Sequence, residues 1–265
     1  MAKREGSSGT ALITGASSGI GLELAKLFAR SGHNLVLVAR SKDSLDALAE
    51  GLVREHGVAV RVIPKDLSDP TAPRELYAEL AEHSIPIEVL VNNAGFGLRG
   101  PFAESDLDEQ LEMLRVNVVA VTHLTRLFVS DMVGRGKGKI LNLGSTAGLV
   151  PGPLMAVYYA TKAYVLSFSQ ALSIELAGSG VTVTALIPGA TRTGFADRAG
   201  TSESRLFRGA TMDAEAVAGI GYRGLMQGKA IVVPGLRNRA LAFGTHLAPQ
   251  RVLSQIARRL NEIRS

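Results

Sequence analysis

The sequence predicts a single doubly wound α/β domain, a parallel seven-stranded sheet with helices on both faces. Three observations predict it. Short β-branched and aliphatic runs alternate with longer segments of helical period. The runs are apolar at nearly every position, as strands covered on both faces are. And 265 residues with 46% hydrophobic content suffice for one sizeable core, with no repeat, low-complexity linker or break in composition before residue 236.

In chain order, "ALIT" (11–14) is the first strand, and a glycine-rich turn carries it into an amphipathic helix at about 19–31. "NLVLVA" (34–39) follows, then a helical pattern at about 43–56. "VAVRVI" (58–63) and "IEVLVN" (87–92) are separated by a helix at about 71–83. A long helical pattern at about 106–134 leads to "KILNLG" (139–144), and another at about 157–178 leads to "VTVTALI" (181–187). A helix at about 213–227 precedes the seventh strand, "AIVV" (230–233). Strands joined through helices pair in parallel.

Composition excludes several function classes. With no cysteine there are neither disulfides nor thiolate chemistry. His33, His56, His83, His123 and His246 show no metal-ligand spacing and read as packing or surface residues, so no metal is expected. The start, "MAKREGSSGTALITG", carries early charges with no apolar segment behind them. No apolar run approaches the ~18 residues that cross a bilayer. A soluble cytoplasmic protein is the expectation. The net charge of +5 sits late: residues 236–265 hold six arginines (237, 239, 251, 258, 259, 264) and one acid, Glu262, while the rest balances. No aromatic–basic interleaving accompanies them, so nucleic acid is not an expected partner.

The chemistry begins in "TALITGASSGIGLELAKLFARSG", a strand, a turn (Thr14-Gly15-Ala16-Ser17-Ser18-Gly19-Ile20-Gly21) and a helix. Glycines let the backbone turn sharply and approach a pyrophosphate, toward which the helix offers N–H groups and its positive dipole end. A plain turn could use the same residues; its place between first strand and amphipathic helix favours a nucleotide. Four further stretches follow in order: "NNAG" (92–95), Ser145 ending the fifth strand, "YYATK" (158–162), and "IPGATRTG" (187–194). Together, over about residues 9–235, they resemble the short-chain dehydrogenase/reductase family, whose loop reads T-G-x-x-x-G-x-G and whose catalytic helix carries Y-x-x-x-K. The resemblance implies a Rossmann-type fold, a nicotinamide cofactor, and hydride transfer between it and a ketone or secondary alcohol. Relatives are often dimers or tetramers, so a homo-oligomer is expected.

By that resemblance Gly15, Ser17, Ser18, Gly19, Ile20 and Gly21 contact the cofactor, with Asp66 near the adenine amino group and Leu67 beside it. Asn93, Ala94 and Gly95 line its site, Pro188 and Gly189 shape a turn, and Thr191 and Thr193 reach the nicotinamide amide and phosphates. In such folds an acid at the tip of the second strand binds the ribose 2′-hydroxyl, whereas an arginine accepts a 2′-phosphate. Here "VLVAR" ends in Ala39 and Arg40, which favours NADPH over NADH. Many NADP-using relatives add a basic residue before the second glycine; this chain has Ser18 there, and Lys42 is a candidate to supplement Arg40.

Lys162 stands four residues after Tyr158 and three after Tyr159, so helical spacing alone selects neither tyrosine. Tyr159, Ala163, Leu166 and Gln170 form a stripe suited to packing, and Ser145 precedes Tyr158 by the family's usual interval. The motif then selects Tyr158 as general acid/base with Lys162, Ser145 and Asn117 as its catalytic partners. A free tyrosine titrates near 10, too high for catalysis at neutral pH, and a neighbouring ammonium and the positive oxidised nicotinamide are expected to bring that value down. The resemblance gives Ser145 the substrate oxygen, Lys162 the nicotinamide ribose, and Asn117 a water linking Lys162 to solvent.

Leu149, Val150, Leu154, Met155, Phe195, Leu206 and Phe207 suggest a fairly apolar substrate cavity, and loop 194–210 suggests a lid. The segment 236–265 reads as a basic amphipathic helical extension, with Val252, Leu253, Ile256, Leu260 and Ile263 on one face. That face packs on the domain or another subunit, or rests on an anionic membrane. The competing function is a non-catalytic NADP-binding sensor or scaffold on the same fold.

Overall fold

A computed structural model describes residues 8–209, 211–245 and 248–263; His246 and Arg264 lie outside them. Strand β1 (Thr10–Thr14) leads into α1 (Gly19–Arg30), β2 (Asn34–Ala39) into α2 (Lys42–His56), and β3 (Val60–Pro64) into α3 (Ala72–Glu82). β4 (Val89–Asn92) precedes α4 (Leu107–Leu114) and α5 (Val121–Gly134), and β5 (Gly138–Leu143) precedes α6 (Ala156–Glu175). After β6 (Val181–Leu186) come β7 (Thr191–Arg192), α7 (Phe195–Arg198), α8 (Arg205–Arg208), β8 (Met212–Asp213) and α9 (Ala214–Met226). β9 (Ile231–Val232), α10 (Leu236–Gly244) and α11 (Gln250–Asn261) follow.

The main sheet has the order β3-β2-β1-β4-β5-β6-β9, parallel throughout, and β7 pairs with β8 apart from it. The seven predicted strands are all present in it, the third, fourth, sixth and seventh being shorter than expected. Side chains alternate between two buried faces. Ile13, Leu35, Leu37 and Val91 pack under α1, α2 and α9 with Leu24, Phe28, Leu45 and Val217. Leu12, Val36, Val38 and Leu90 pack under α3 and α5 with Leu76, Leu80, Leu124 and Phe128. Burial on both faces explains why these strands are apolar at successive positions.

A polar network crosses this core. Asn92 Nδ2 donates to Asn142 Oδ1 (2.8 Å) and Thr125 Oγ1 (3.0 Å), and Asn142 Nδ2 donates to Ser169 Oγ (2.9 Å). The chain β4–β5–α5–α6 is thereby fixed behind the carboxyl ends of the strands.

The predicted long helix 106–134 is continuous but contains a π-helical turn at Arg115–Ala120, centred on the buried Asn117. By length and composition Leu107–Gly134 could cross a membrane, contrary to the expectation that no stretch could. Its apolar positions Met113, Ala120, Leu124, Phe128 and Met132 are instead buried in this domain. On α6 the expected packing stripe is also corrected: Ala163 is exposed, and the buried face is Tyr158, Thr161, Lys162, Val165 and Ser169. Tyr159 is buried beside that face. α11 lies over the carboxyl ends of the strands. Asn261 accepts from Tyr159 (3.2 Å) and donates to the Pro153 carbonyl (3.0 Å), and Ile263 bridges to Ser204.

Candidate active site

At the carboxyl ends of the strands, where the order reverses between β1 and β4, the chain encloses a cavity of about 680 Å³. The glycine turn forms one end. Gly15 and Gly19 have φ of 64° and 56°, which glycine adopts without a Cβ penalty. A Cβ would stand 2.8 Å from Asn93 Nδ2 at Gly15 and 3.0 Å from Thr193 at Gly19, so backbone itself forms the wall. Ser17, Ser18 and Ile20 continue it at the start of α1. Gly21 is not part of the lining; a Cβ there would collide with the Gly15 carbonyl and the Asn93 amide. Its work is to let α1 press against the turn.

Thr14, not among the expected site residues, latches this end together. Its hydroxyl accepts from Asn93 N and Ala94 N (both 3.0 Å) and donates to the Val91 carbonyl (3.2 Å). Asn93 Nδ2 returns bonds to the carbonyls of Thr14 (2.9 Å) and Gly15 (3.1 Å). Asn93, Ala94 and Gly95 line the cavity as expected.

The reactive groups converge at its centre. Ser145 leaves β5 extended and caps a short turn, its Oγ accepting from Ala147 N (3.1 Å), and its side chain faces the Tyr158 phenol closely enough to lower that group's pKa. Lys162 Nζ donates to the Leu143 carbonyl (2.8 Å) and lies 5.8 Å from the centre of the Tyr158 ring. Burial pushes the Tyr158 phenol above its ordinary range; Ser145 pulls it down, and Tyr159 adds to the rise. Burial also pushes Lys162 down to about 8. Burial thus works against the lowering expected of the ammonium and the oxidised nicotinamide.

Asn117 stands behind this group rather than in the lining. Its Oδ1 accepts from Phe96 N (3.1 Å), and its Nδ2 donates to the Phe96 carbonyl (2.9 Å) and Thr161 Oγ1 (3.1 Å). Thr161 in turn donates to the Tyr158 carbonyl (2.7 Å). Asn117 thus ties the segment after β4 to the helix that carries Tyr158. Gly95 fits between: a Cβ would lie 2.9 Å from Asn117 Oδ1 and 3.6 Å from Lys162 Nζ.

Arg40, Asp66 and Leu67 line the far end, and Pro188, Gly189, Thr191 and Thr193 line the side opposite the glycine turn. Burial pushes the Asp66 carboxyl up, but two bonds from Ser68 and the charges of Arg40 and Arg198 hold it below its ordinary range. Lys42 is not in the lining; it pairs with Asp46 at 2.5 Å. Val150, Met155, Phe195, Leu206 and Phe207 line the apolar end. Leu149 and Leu154 do not; Leu154 faces a smaller cavity of about 20 Å³ with Leu98 and Phe102. The described histidines, 33, 56, 83 and 123, stay outside the large cavity, and the described residues hold no acidic or histidine cluster fit for a metal.

A comparison with known proteins decides the family. Residues 9–204 match the short chain dehydrogenase family. The chain belongs to the short-chain dehydrogenase family. Among solved members, a short-chain dehydrogenase from Sphingobium yanoikuyae in complex with NADPH is 38% identical, with a TM-score of 0.82 over 92% of this chain and 95% of that one. A bulky-bulky ketone specific alcohol dehydrogenase from Comamonas testosteroni is 36% identical, with a TM-score of 0.79 over 92% and 93%. A very-long-chain 3-oxoacyl-CoA reductase of Anas platyrhynchos is 36% identical over 184 residues, 67% of this chain. That match spans only 58% of the relative's length.

Among short-chain dehydrogenases the motifs read from sequence are local, which is why they located the cavity. Other contributors lie outside those motifs. Glu112 and Arg198 reach the Arg40 end from α4 and α7, and Leu241, Leu253, Ile256 and Leu260 reach the apolar end from α10 and α11. For the last three, the amphipathic period of α11 was a signal, but it did not say what the face covers.

Proposed function

We propose that this chain is an NADP(H)-dependent oxidoreductase that interconverts a ketone and a secondary alcohol carrying large apolar groups. The observation that carries the reading is Ser145, Tyr158 and Lys162 gathered at the middle of a cavity with a backbone-lined end and an apolar end. The backbone-lined end fits a dinucleotide: bare glycines replace side chains, and α1 points its N-terminus there. NADPH, when bound, supplies the hydride. Arg40 favours the 2′-phosphorylated form, and Asp66 is proposed for the adenine.

In reduction, Tyr158 hands its phenolic proton to the substrate oxygen, and Ser145 holds that oxygen by donating to it. Burial keeps the phenol protonated, as a proton donor must be. Lys162, anchored on the Leu143 carbonyl, turns its ammonium toward the ribose side of the cavity, and Asn117 holds Phe96 and α6 in register. The apolar walls, Phe195, Leu206, Phe207 and Leu253 among them, receive the substrate body. A relative named for bulky ketones and another named for very-long-chain 3-oxoacyl substrates support this class. The sensor reading loses ground because the four polar residues are bonded to one another's elements rather than scattered.

The test is NADPH oxidation over a panel of ketones graded in size. Tyr158→Phe is expected to lose roughly 10²–10⁴-fold in kcat, whereas Tyr159→Phe retains kcat within a few-fold. A Tyr158→Phe enzyme as active as wild type rejects the mechanism; binding of NADPH without turnover of any ketone favours the sensor.

A further inference from the structure

Two guanidinium groups meet at the far end of the cavity, and only one of them belongs to the nucleotide-binding half of the fold. Arg40 ends β2; Arg198 ends α7, in the segment expected to act as a lid. Both approach the same carboxylate oxygen, Glu112 Oε1, at 3.7 and 3.8 Å. These distances are ion pairs beyond hydrogen-bond length, so the carboxylate does not saturate either donor set. Both arginines also act on Asp66. The Arg198 guanidinium lies 3.9 Å from the centre of the Phe96 ring, which fixes its plane over the cavity. Burial, and then the like charge of Arg40, work against Arg198's positive form.

Glu112 and Asp66 balance the two charges, but at 3.7 and 3.8 Å the guanidinium N–H groups are left without a close acceptor. A ribose 2′-phosphate, carrying nearly two charges at neutral pH, fits that need, and a bare 2′-hydroxyl does not. The glycine turn, residues 14–21, holds no cation of its own. We infer that Arg198 is a specificity-determining residue that reaches across from the lid and, with Arg40, selects the 2′-phosphate of NADP(H). The inference rests on the NADP reading above. It has a mechanical corollary. The same one-turn helix carries Phe195, whose ring centre lies 5.3 Å from that of Tyr158. Grip on the phosphate therefore holds one wall of the substrate cavity in place.

The experiment is equilibrium binding of NADPH, NADH, adenosine 2′,5′-bisphosphate and adenosine 5′-monophosphate to wild type, Arg198→Gln, Arg198→Lys and Arg40→Gln. Arg198→Gln is expected to weaken NADPH and the bisphosphate by roughly 10- to 100-fold, the worth of a charged hydrogen bond. NADH and the monophosphate should change less than about three-fold. Arg198→Lys, which keeps the charge and a contact with Phe96, should fall between. Equal weakening of all four ligands, or NADPH binding unchanged in Arg198→Gln, overturns the inference while leaving the NADP reading intact. A wild type that binds NADPH and NADH alike overturns both.

Discussion

At the residue scale, the decisive difference lies between two adjacent tyrosines of almost equal burial. Tyr158 is 8% exposed and Tyr159 7%, so exposure does not separate them. Partners do: Tyr158 meets Ser145 and Lys162, whereas Tyr159 spends its hydroxyl on Asn261. Lys162 carries a second prediction. Its folded-state value of about 8 lies below the ordinary 10.5, so between these values the unfolded chain binds more protons. The burial penalty is fully present below pH 8 and is relieved as pH rises from about 8 to about 10.5. Comparing urea unfolding of wild type and Lys162→Met at pH 7 and pH 10, wild type should gain about 2–3 kcal/mol relative to the variant. Parallel pH profiles for the two proteins would show that the ammonium is not desolvated. That Lys162 shares a helix face with Tyr158 was legible in the spacing; that this face is the buried one was not, because Ala163 and Leu166 fit an apolar stripe equally well.

At the element scale, the turn between β1 and α1 was the most legible part, since its glycines answer to local backbone demands. Gly15 and Gly19 need positive φ, and Gly21 needs space against the Gly15 carbonyl. Gly21→Ala sets two effects against each other. Alanine favours a helix by about 1 kcal/mol, but overpacking against backbone costs about 1–3 kcal/mol. Because the neighbours are a main-chain carbonyl and a bonded amide, neither yields easily. We expect a net loss of about 1–2 kcal/mol in urea unfolding; a gain would mean that α1 shifts freely. The long helix 107–134 was legible as a helix, yet its π turn was not. Asn117 must present both ends of its amide to Phe96 and Thr161, and those partners come from the segment after β4 and from α6, far away in sequence.

At the scale of the whole molecule, α8, α10 and α11 form the outer wall of the apolar end, and Asn261 is the pin that holds it. Asn261→Ala removes bonds to Tyr159 and the Pro153 carbonyl. We expect a several-fold rise in KM for the bulkiest ketones, with KM for a small ketone and the affinity for NADPH little changed. Equal effects on all ketones would mean that α11 does not shape the cavity. The rim of this wall keeps Val252 and Ile256 about half exposed (46% and 48%) beside Arg251 and Arg259. Contact of that rim with an anionic membrane is a proposal. Co-sedimentation with phosphatidylglycerol vesicles should fall in a Val252→Ser/Ile256→Ser variant, and equal co-sedimentation of variant and wild type would remove it.

The sequence by itself determined what depends on neighbours along the chain. The alternation of apolar strands with helices set the parallel sheet, because burial on both faces demands it. The spacing of Gly15, Gly19 and Gly21, and of Tyr158 and Lys162, set the two motifs, because turns and helix faces are properties of a few consecutive residues. Tertiary structure alone decided which groups meet across the cavity. Glu112 with Arg40 and Arg198, Asn261 with Tyr159, and Leu253 and Leu260 with Phe207 come from distant segments brought to the carboxyl ends of one sheet. It also decided how deeply Tyr158 is buried, since desolvation is set by everything packed around a phenol and not by the lysine four residues away.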